Sequence, residues 1–292
     1  MSERDKRLSI LFFLPAMIFM ILFFVYPIAI LVKGSFFEDA DPKNFVGVLN
    51  YRNALASESF HQSFFNTIVY VVGAVGVELL LGMVLALLLS TGFKGANLIR
   101  TLLLSPLMIS PLVCGLIWKF MLNDQFGALN SILYKVGLIK SPQAILWLSD
   151  SKFALLSCII ADVWLTTPFM MLILLAGIQS IPESLYEAAR IDGARKTQNF
   201  WHITLPSLRS VILVAVIIRF IDAVKSFDII WVMTQGGPNG SSSLVSTLIY
   251  KSIARYNNEG SASAMAVMFM IVLLALCSMF FKRFWNPSNK AI

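Results

Sequence analysis

Charge is what this 292-residue chain has least of. Asp, Glu, Lys and Arg make up 13% of it against 58% apolar residues, whereas a soluble domain carries about a quarter charged residues. That scarcity excludes an ordinary water-soluble globule and points to a bilayer. Histidine occurs twice, as His61 and His202, too far apart to offer metal-ligand spacing or a Ser/His/Asp arrangement, so neither a metal site nor a catalytic residue is expected. The three cysteines, Cys114, Cys158 and Cys277, lie inside apolar runs and read as packing residues, not as a disulfide framework. No GxxxxGK[ST] phosphate loop is present, which excludes ATP hydrolysis by that route. A net charge of +7 would suit nucleic acid if it covered one soluble face. Here the basic residues cluster beside apolar spans, as membrane orientation requires, and no nucleic-acid partner is expected.

Long apolar runs are what the chain has in abundance. A short basic start with Arg4, Lys6 and Arg7 leads into a run from Ser9 to about Leu31. That run is too long for a signal peptide and is followed by no small-residue cleavage site, so it reads as a retained helix. Five further runs, at about 64–90, 101–121, 153–179, 210–233 and 262–281, approach the length needed to cross the hydrocarbon core. The expected fold is therefore an all-α polytopic membrane protein with six transmembrane helices. Residues 1–8 form a short N-terminus, 9–281 a single transmembrane domain and 282–292 a tail. Twelve of the 23 Lys and Arg residues fall in the termini and the 91–100 and 180–209 loops, while eight are spread over the longer loops on the other side. The denser set should be cytoplasmic, which puts both termini in the cytoplasm.

Within the spans, Gly73, Gly76, Gly82 and Ala86 offer small faces for close helix packing, with Glu78 between them. Pro106, Pro111 and Pro168 interrupt backbone ladders. Arg219, Asp222, Lys225 and Asp228 recur every third residue with alternating sign, so each can reach its neighbour one turn away. They form either a self-neutralising ladder or direct contacts to cargo, and in both cases mark the pathway side of a bundle. The fourth span adds Asp162, Trp164, Thr166 and Thr167. Carboxylate, aromatic face and hydroxyls are the mixture that holds sugars; alternatively, Trp164 is core and Asp162 pairs with Arg219 or Lys225.

The longest polar stretch runs from Ser180 to Arg209. Ser180 and Glu183 can form a capping box for a short helix, Gly193 supplies a stop, and a second short helix can run to Leu205-Pro206. Glu187-Ala188-Ala189, three residues, Gly193, nine residues, Ile203, then Leu205-Pro206 resembles the EAA loop of permease subunits of ABC importers, with Asp192-Gly193-Ala194 in its usual place. Trp164 with Pro168-Phe169, Phe227-Asp228 and Thr234 to Pro238 extend the resemblance to the carbohydrate-uptake branch, of the maltose (MalF) type. It covers essentially the whole chain, without the extra N-terminal helices and the large periplasmic insertion of the maltose-type subunit.

This resemblance implies an ABC type I importer permease fold in a bacterial cytoplasmic (inner) membrane. It implies that Glu183, Glu187, Ala188, Ala189, Arg190, Asp192, Gly193, Ile203, Leu205 and Pro206 couple to a cytoplasmic ABC ATPase dimer. That ATPase would hold the ATP and Mg, leaving this chain without a cofactor. The other implied partners are a second, related permease, a periplasmic or lipid-anchored solute-binding protein, and membrane lipid. Asp162, Trp164, Thr167, Arg219, Asp222, Lys225, Phe227 and Asp228 are the candidate pathway residues. The expected cargo is a sugar, a di- or oligosaccharide or a glycoside that can be anionic, with a polyol or glycerol phosphate as the alternative. A secondary transporter using the charge ladder as an ion relay is the rival from another class, but the halves show no convincing internal repeat. A membrane enzyme such as a lipid-linked glycosyl transferase would need a catalytic loop, whereas the one substantial polar loop resembles an ATPase dock.

Overall fold

The first apolar run is a helix that buries none of its most apolar window against its own chain. The computed structural model describes residues 3–38 and 44–284; Met1, Ser2 and the tail beyond Phe284 lie outside the described residues. Helix α1 (Glu3–Met20) passes through a π-helical turn, Ile21–Val25, into α2 (Tyr26–Gly34). The span Phe12–Gly34 has none of its most apolar window buried, which water would not tolerate and lipid or a neighbouring chain would. After it, α3 (Leu49–Ala56) is tied back by Asn50, whose amide donates to the carbonyls of Ser35 and Phe37 at 3.0 and 2.7 Å. Residues up to His61 and Leu248–Ser278 form one compact unit, and Gln62–Thr247 with the residues from Met279 form another.

The second unit is organised around α8 (Ala154–Gln179), two-thirds of whose apolar window is buried. Helix α4 (Glu58–Ser90) approaches it closely because glycine leaves room: a Cβ on Gly82 would lie 2.9 Å from Met170, and one on Gly73 would lie 3.2 Å from Ile159. Gly76, expected to share this role, faces open space. The third run is sharply bent. Helix α5 (Ala96–Leu104) and a 3₁₀ turn, Ser105–Met108, meet α6 (Pro111–Met121) at 98°. Ser110 caps α6 by accepting from the Val113 N–H, and Pro111 occupies the first turn, where its missing N–H is harmless. Helix α7 (Ala128–Lys135) follows in the segment that leads to α8. Pro168, by contrast, is accommodated inside an unbroken α8.

Beyond α8 come α9 (Glu183–Ile191), α10 (Lys196–Asn199), a π-helical turn Phe200–Thr204 and α11 (Leu205–Ser207). The fifth expected span is two helices, α12 (Arg209–Val224) and α13 (Asp228–Met233), broken at Lys225–Phe227. Helices α14 (Val245–Ala254) and α15 (Glu259–Phe284) complete the described chain. Among the described residues, four helices are individually long and apolar enough to cross a membrane, and the bent α5–α6 pair makes a fifth candidate. The sixth expected crossing, α12–α13, is too fragmented to qualify by length, yet its place in the order is compatible with six.

Candidate functional site

Three separate helices bring their charges to one point. Arg219 of α12 donates through Nε to Glu78 Oε2 at 2.7 Å and through Nη2 to Glu78 Oε1 at 2.8 Å, a bidentate pair. The same Nη2 reaches Asp162 Oδ2 of α8 at 3.0 Å. Thr166 Oγ1 contacts both the Asp162 carbonyl and Glu78 Oε1, linking α8 to α4 a second time. Arg219 is 4% exposed and Glu78 fully buried. A charge stranded in such surroundings is very costly, and the bidentate geometry with its extra hydrogen bonds is what makes the cluster tolerable.

The expected ladder is therefore only partly one. Asp222 Oδ2 lies 3.7 Å from Arg219 Nη1, and Lys225 Nζ lies 2.9 Å from Asp222 Oδ1. Asp222 and Lys225 side chains are 53% and 69% exposed, so solvent shares their compensation. The helix ends at Val224, and Asp228 opens α13 instead of continuing the face. The break is held by Ser226, whose hydroxyl meets Tyr70 OH at 3.1 Å and whose carbonyl accepts from Ser246 Oγ at 2.6 Å. Just past it, Phe227 stacks on Trp231 with ring centroids 5.6 Å apart and planes at 15°. Exposed Asp222, Lys225 and Asp228 thus flank a stacked aromatic pair at a helix break.

Asp162 and Trp164, two residues apart on α8, serve different surroundings. Asp162 belongs to the buried ion cluster. Trp164 meets Trp118 edge-on at 6.1 Å, and both line a cavity of about 600 Å³ together with Thr167, Pro168 and leucines of α4 and α5. Thr167 Oγ1 is turned back onto the Val163 carbonyl at 2.6 Å. The structure thus groups Asp162 with Arg219, and Trp164 with Thr167. Glu78 is the carboxylate of this cluster that the spacing of charges in the sequence does not single out. The available signal was a lone acid in the middle of an apolar run, matched by one Arg in another.

The polar loop after α8 forms the expected bent knuckle, with one change at its start. Pro182 occupies the N-cap of α9, and Ser180 donates to the Gly177 carbonyl instead of capping. None of α9 is buried, and Ile191 at its end is 87% exposed. Gly193 takes φ +73°, its N–H donating to the Arg190 carbonyl while the Ala194 N–H reaches the Ala189 carbonyl. This Schellman pattern needs a left-handed residue at that position. Tyr186 OH meets Thr204 Oγ1 at 2.9 Å, fastening α9 to the turn beneath it. Leu208 then presses into α8 where Gly177 leaves space, a Cβ there falling 2.7 Å from Leu208 Cδ2. Glu183, Glu187, Ala188, Arg190, Asp192 and Pro206 are exposed on the knuckle, while Ala189, Ile203 and Leu205 are half-buried. His202 Nδ1 lies 3.0 Å from the Gln198 carbonyl, a packing and capping role.

Comparison with known proteins agrees with this architecture. Residues 78–290 match the family described as "Binding-protein-dependent transport system inner membrane component". The trehalose/maltose transport system permease protein MalF of Thermococcus litoralis is 37% identical over 287 residues, covering 97% of this chain and 95% of its own. The sulfoquinovosyl glycerol transport system permease protein SmoG of Agrobacterium fabrum is 35% identical, with coverage of 94% and 88%. The sn-glycerol-3-phosphate transport system permease protein UgpA of the same organism is 34% identical, with coverage of 95% and 94%. Among solved structures, a chain of a bacterial alginate ABC transporter, in complex with alginate pentasaccharide-bound periplasmic protein, superposes with a TM-score of 0.82. That match has 23% identity and covers 95% of this chain and 93% of the other.

Proposed function

This chain belongs to the family of binding-protein-dependent transport system inner membrane components, and on that premise we propose that it carries a sugar or glycoside through the membrane while coupling its passage to ATP hydrolysis on a separate cytoplasmic chain. Family membership makes it a membrane-embedded transport subunit and not an enzyme, working with a substrate-binding protein and an ATPase. The cargo class rests on relatives named for trehalose/maltose, sulfoquinovosyl glycerol and glycerol 3-phosphate. A neutral or anionic glycoside therefore leads, and a polyol or glycerol phosphate is the alternative within the same mechanism.

The observation that carries the reading is the build of the knuckle. Helix α9 buries none of its residues in its own chain, yet its end is fixed by the Gly193 motif and its middle by Tyr186 on Thr204. A rigid, fully presented helix is what a partner's groove can grip. Motion applied there passes through Leu208 against Gly177 to α8 and α12. The Arg219 cluster joins those two helices to α4, so the three shift together. The face they carry ends in Asp222, Lys225, Phe227 and Asp228, which we assign to the pathway. The termini and the knuckle lie on the cytoplasmic side, and a second, related permease closes the pathway.

The test is reconstitution. Vesicles holding this chain with its ATPase, second permease and binding protein should accumulate labelled sugar only when ATP is supplied on the ATPase side. Accumulation driven by a proton or sodium gradient without the ATPase would overturn the assignment in favour of a secondary transporter.

A further inference from the structure

Helix α12 and the break that follows it are fastened to α4 at two places, and the fastenings differ in kind. Before the break, Arg219 grips Glu78 through a bidentate ion pair closed to solvent. At the break itself, Ser226 meets Tyr70 through a single neutral contact between hydroxyls at 3.1 Å. Tyr70 stands eight residues before Glu78 and Ser226 seven after Arg219, so α4 and α12 run antiparallel with the two contacts about 12 Å apart. Charge-assisted, forked bonds are about twice as strong as neutral ones. Of the two attachments, the hydroxyl contact is the one that yields first.

The Tyr70 hydroxyl ties the break to the ion cluster. Its side chain is fully buried, Asp162 is the charged group that acts on it most strongly, and the two are within hydrogen-bonding reach. A phenol both donates and accepts, whereas a carboxylate only accepts. Tyr70 therefore donates towards Asp162 and accepts from Ser226, which gives the contact a fixed polarity. Ser226 is held from its other side by Ser246, whose hydroxyl donates to its carbonyl at 2.6 Å. The adjoining Val245 N–H donates to Thr67 Oγ1, one turn before Tyr70 on α4, so both grips on Ser226 lead back to that helix. Next in the chain is Phe227, with φ −139° and ψ −51°, outside the helical range. The direction of its ring thus depends on how Ser226 is held.

We propose that Tyr70 is a positioning residue for the cargo path: its hydroxyl latches Ser226 and through it sets the Phe227–Trp231 stack. This rests on the reading that the break lines the pathway. During transport the ion cluster carries α4, α8 and α12 as one body, while the weaker latch releases and lets the break change its angle. Tyr70 touches no cargo; it decides how Phe227 meets it.

The experiment labels the assembled transporter with 5-fluorotryptophan, the Trp231 resonance being assigned from Trp231→Phe. Tyr70→Phe and Ser226→Ala, which remove the hydroxyls and little else, should each move that resonance and leave that of Trp201 on the knuckle in place. The double variant should move it no further. ATP-driven uptake should fall about fivefold in each single variant, the effect of one neutral hydrogen bond, and about fivefold again in the double variant, since both substitutions act through one contact. All three variants should still co-purify with the ATPase. A Trp231 resonance indifferent to both substitutions would overturn the proposal. So would losses of uptake that multiply to about 25-fold in the double variant, the behaviour of independent sites. The fluorine readout needs no transport, so a wild type that takes up no sugar on ATP would strike the transport reading while the resonances still decide the latch.

Discussion

Arg219 and Glu78 stand 141 positions apart in sequence and form both bonds of a guanidinium–carboxylate fork in a site closed to solvent. Asp162 adds a third bond, so the arginine is balanced by α4 and α8 before Asp222 contributes. The order of importance along α12 follows from this. Glu78→Ala should destabilise the assembled protein by about 3–5 kcal/mol, the cost of removing one partner from a buried pair. Asp222→Ala should cost less than about 1 kcal/mol, because that pair is solvent-shared. Thermal unfolding of the purified complexes checks both. Equal losses would mean that Asp222 balances Arg219 as much as Glu78 does, as an uninterrupted ladder on one helix face would require.

Gly193 sits at φ +73° with nothing within 4 Å of where its Cβ would lie. Any penalty on substitution is therefore backbone strain and not collision. Gly193→Val should cost roughly 1–2 kcal/mol locally and weaken ATPase docking, while Gly193→Asn, a residue that tolerates the left-handed region, should be milder. ATPase co-purification and ATP-driven uptake should rank glycine above asparagine above valine. Indistinguishable variants would show that the end of α9 plays no part in docking.

Periodic and punctuating signals were legible in the sequence. The apolar runs gave the long helices, Pro106 and Pro111 the bend, and Gly193 the end of α9, because each acts through its own backbone. Pairing was harder to read. The three-residue spacing of Arg219, Asp222, Lys225 and Asp228 pointed to local partners, yet Arg219 took distant ones, since burial makes a bidentate carboxylate worth more than an exposed neighbour. Nor does the sequence announce that α12 stops at Val224, a break held by Tyr70 and Ser246 from elsewhere in the chain. Asp162 and Trp164 looked like one site because they are neighbours; two residues along a helix turn a side chain through about 200°.

The orientation proposed from the distribution of Lys and Arg has a direct readout. In a background with Cys114, Cys158 and Cys277 replaced, a cysteine at exposed Asn239 should react with an impermeant thiol reagent from outside intact cells. One at exposed Lys196 should react only after the membrane is opened. The reverse pattern would invert the topology and remove the knuckle from the ATPase.

The division between Trp164 and Phe227 supplies the sharpest contrast. Phe227 stacks on Trp231 beside exposed Asp222, Lys225 and Asp228, offering an aromatic face with charged groups around it, the arrangement that covers a sugar's C–H surface while meeting its hydroxyls. Trp164 is apolar packing against Trp118 on a different wall. Phe227→Ala should therefore lower transport by about tenfold, the effect of losing an aromatic contact of about 1–1.5 kcal/mol, with assembly intact. Asp228→Asn should change the relative rates of neutral and anionic glycosides. Trp164→Ala should leave that ratio alone and act, if at all, on the stability of the α6–α8 contact. Competition uptake with paired neutral and sulfonated glycosides separates these outcomes: if Trp164→Ala alters selectivity and Phe227→Ala does not, the pathway runs through the apolar cavity and not along the α12–α13 break.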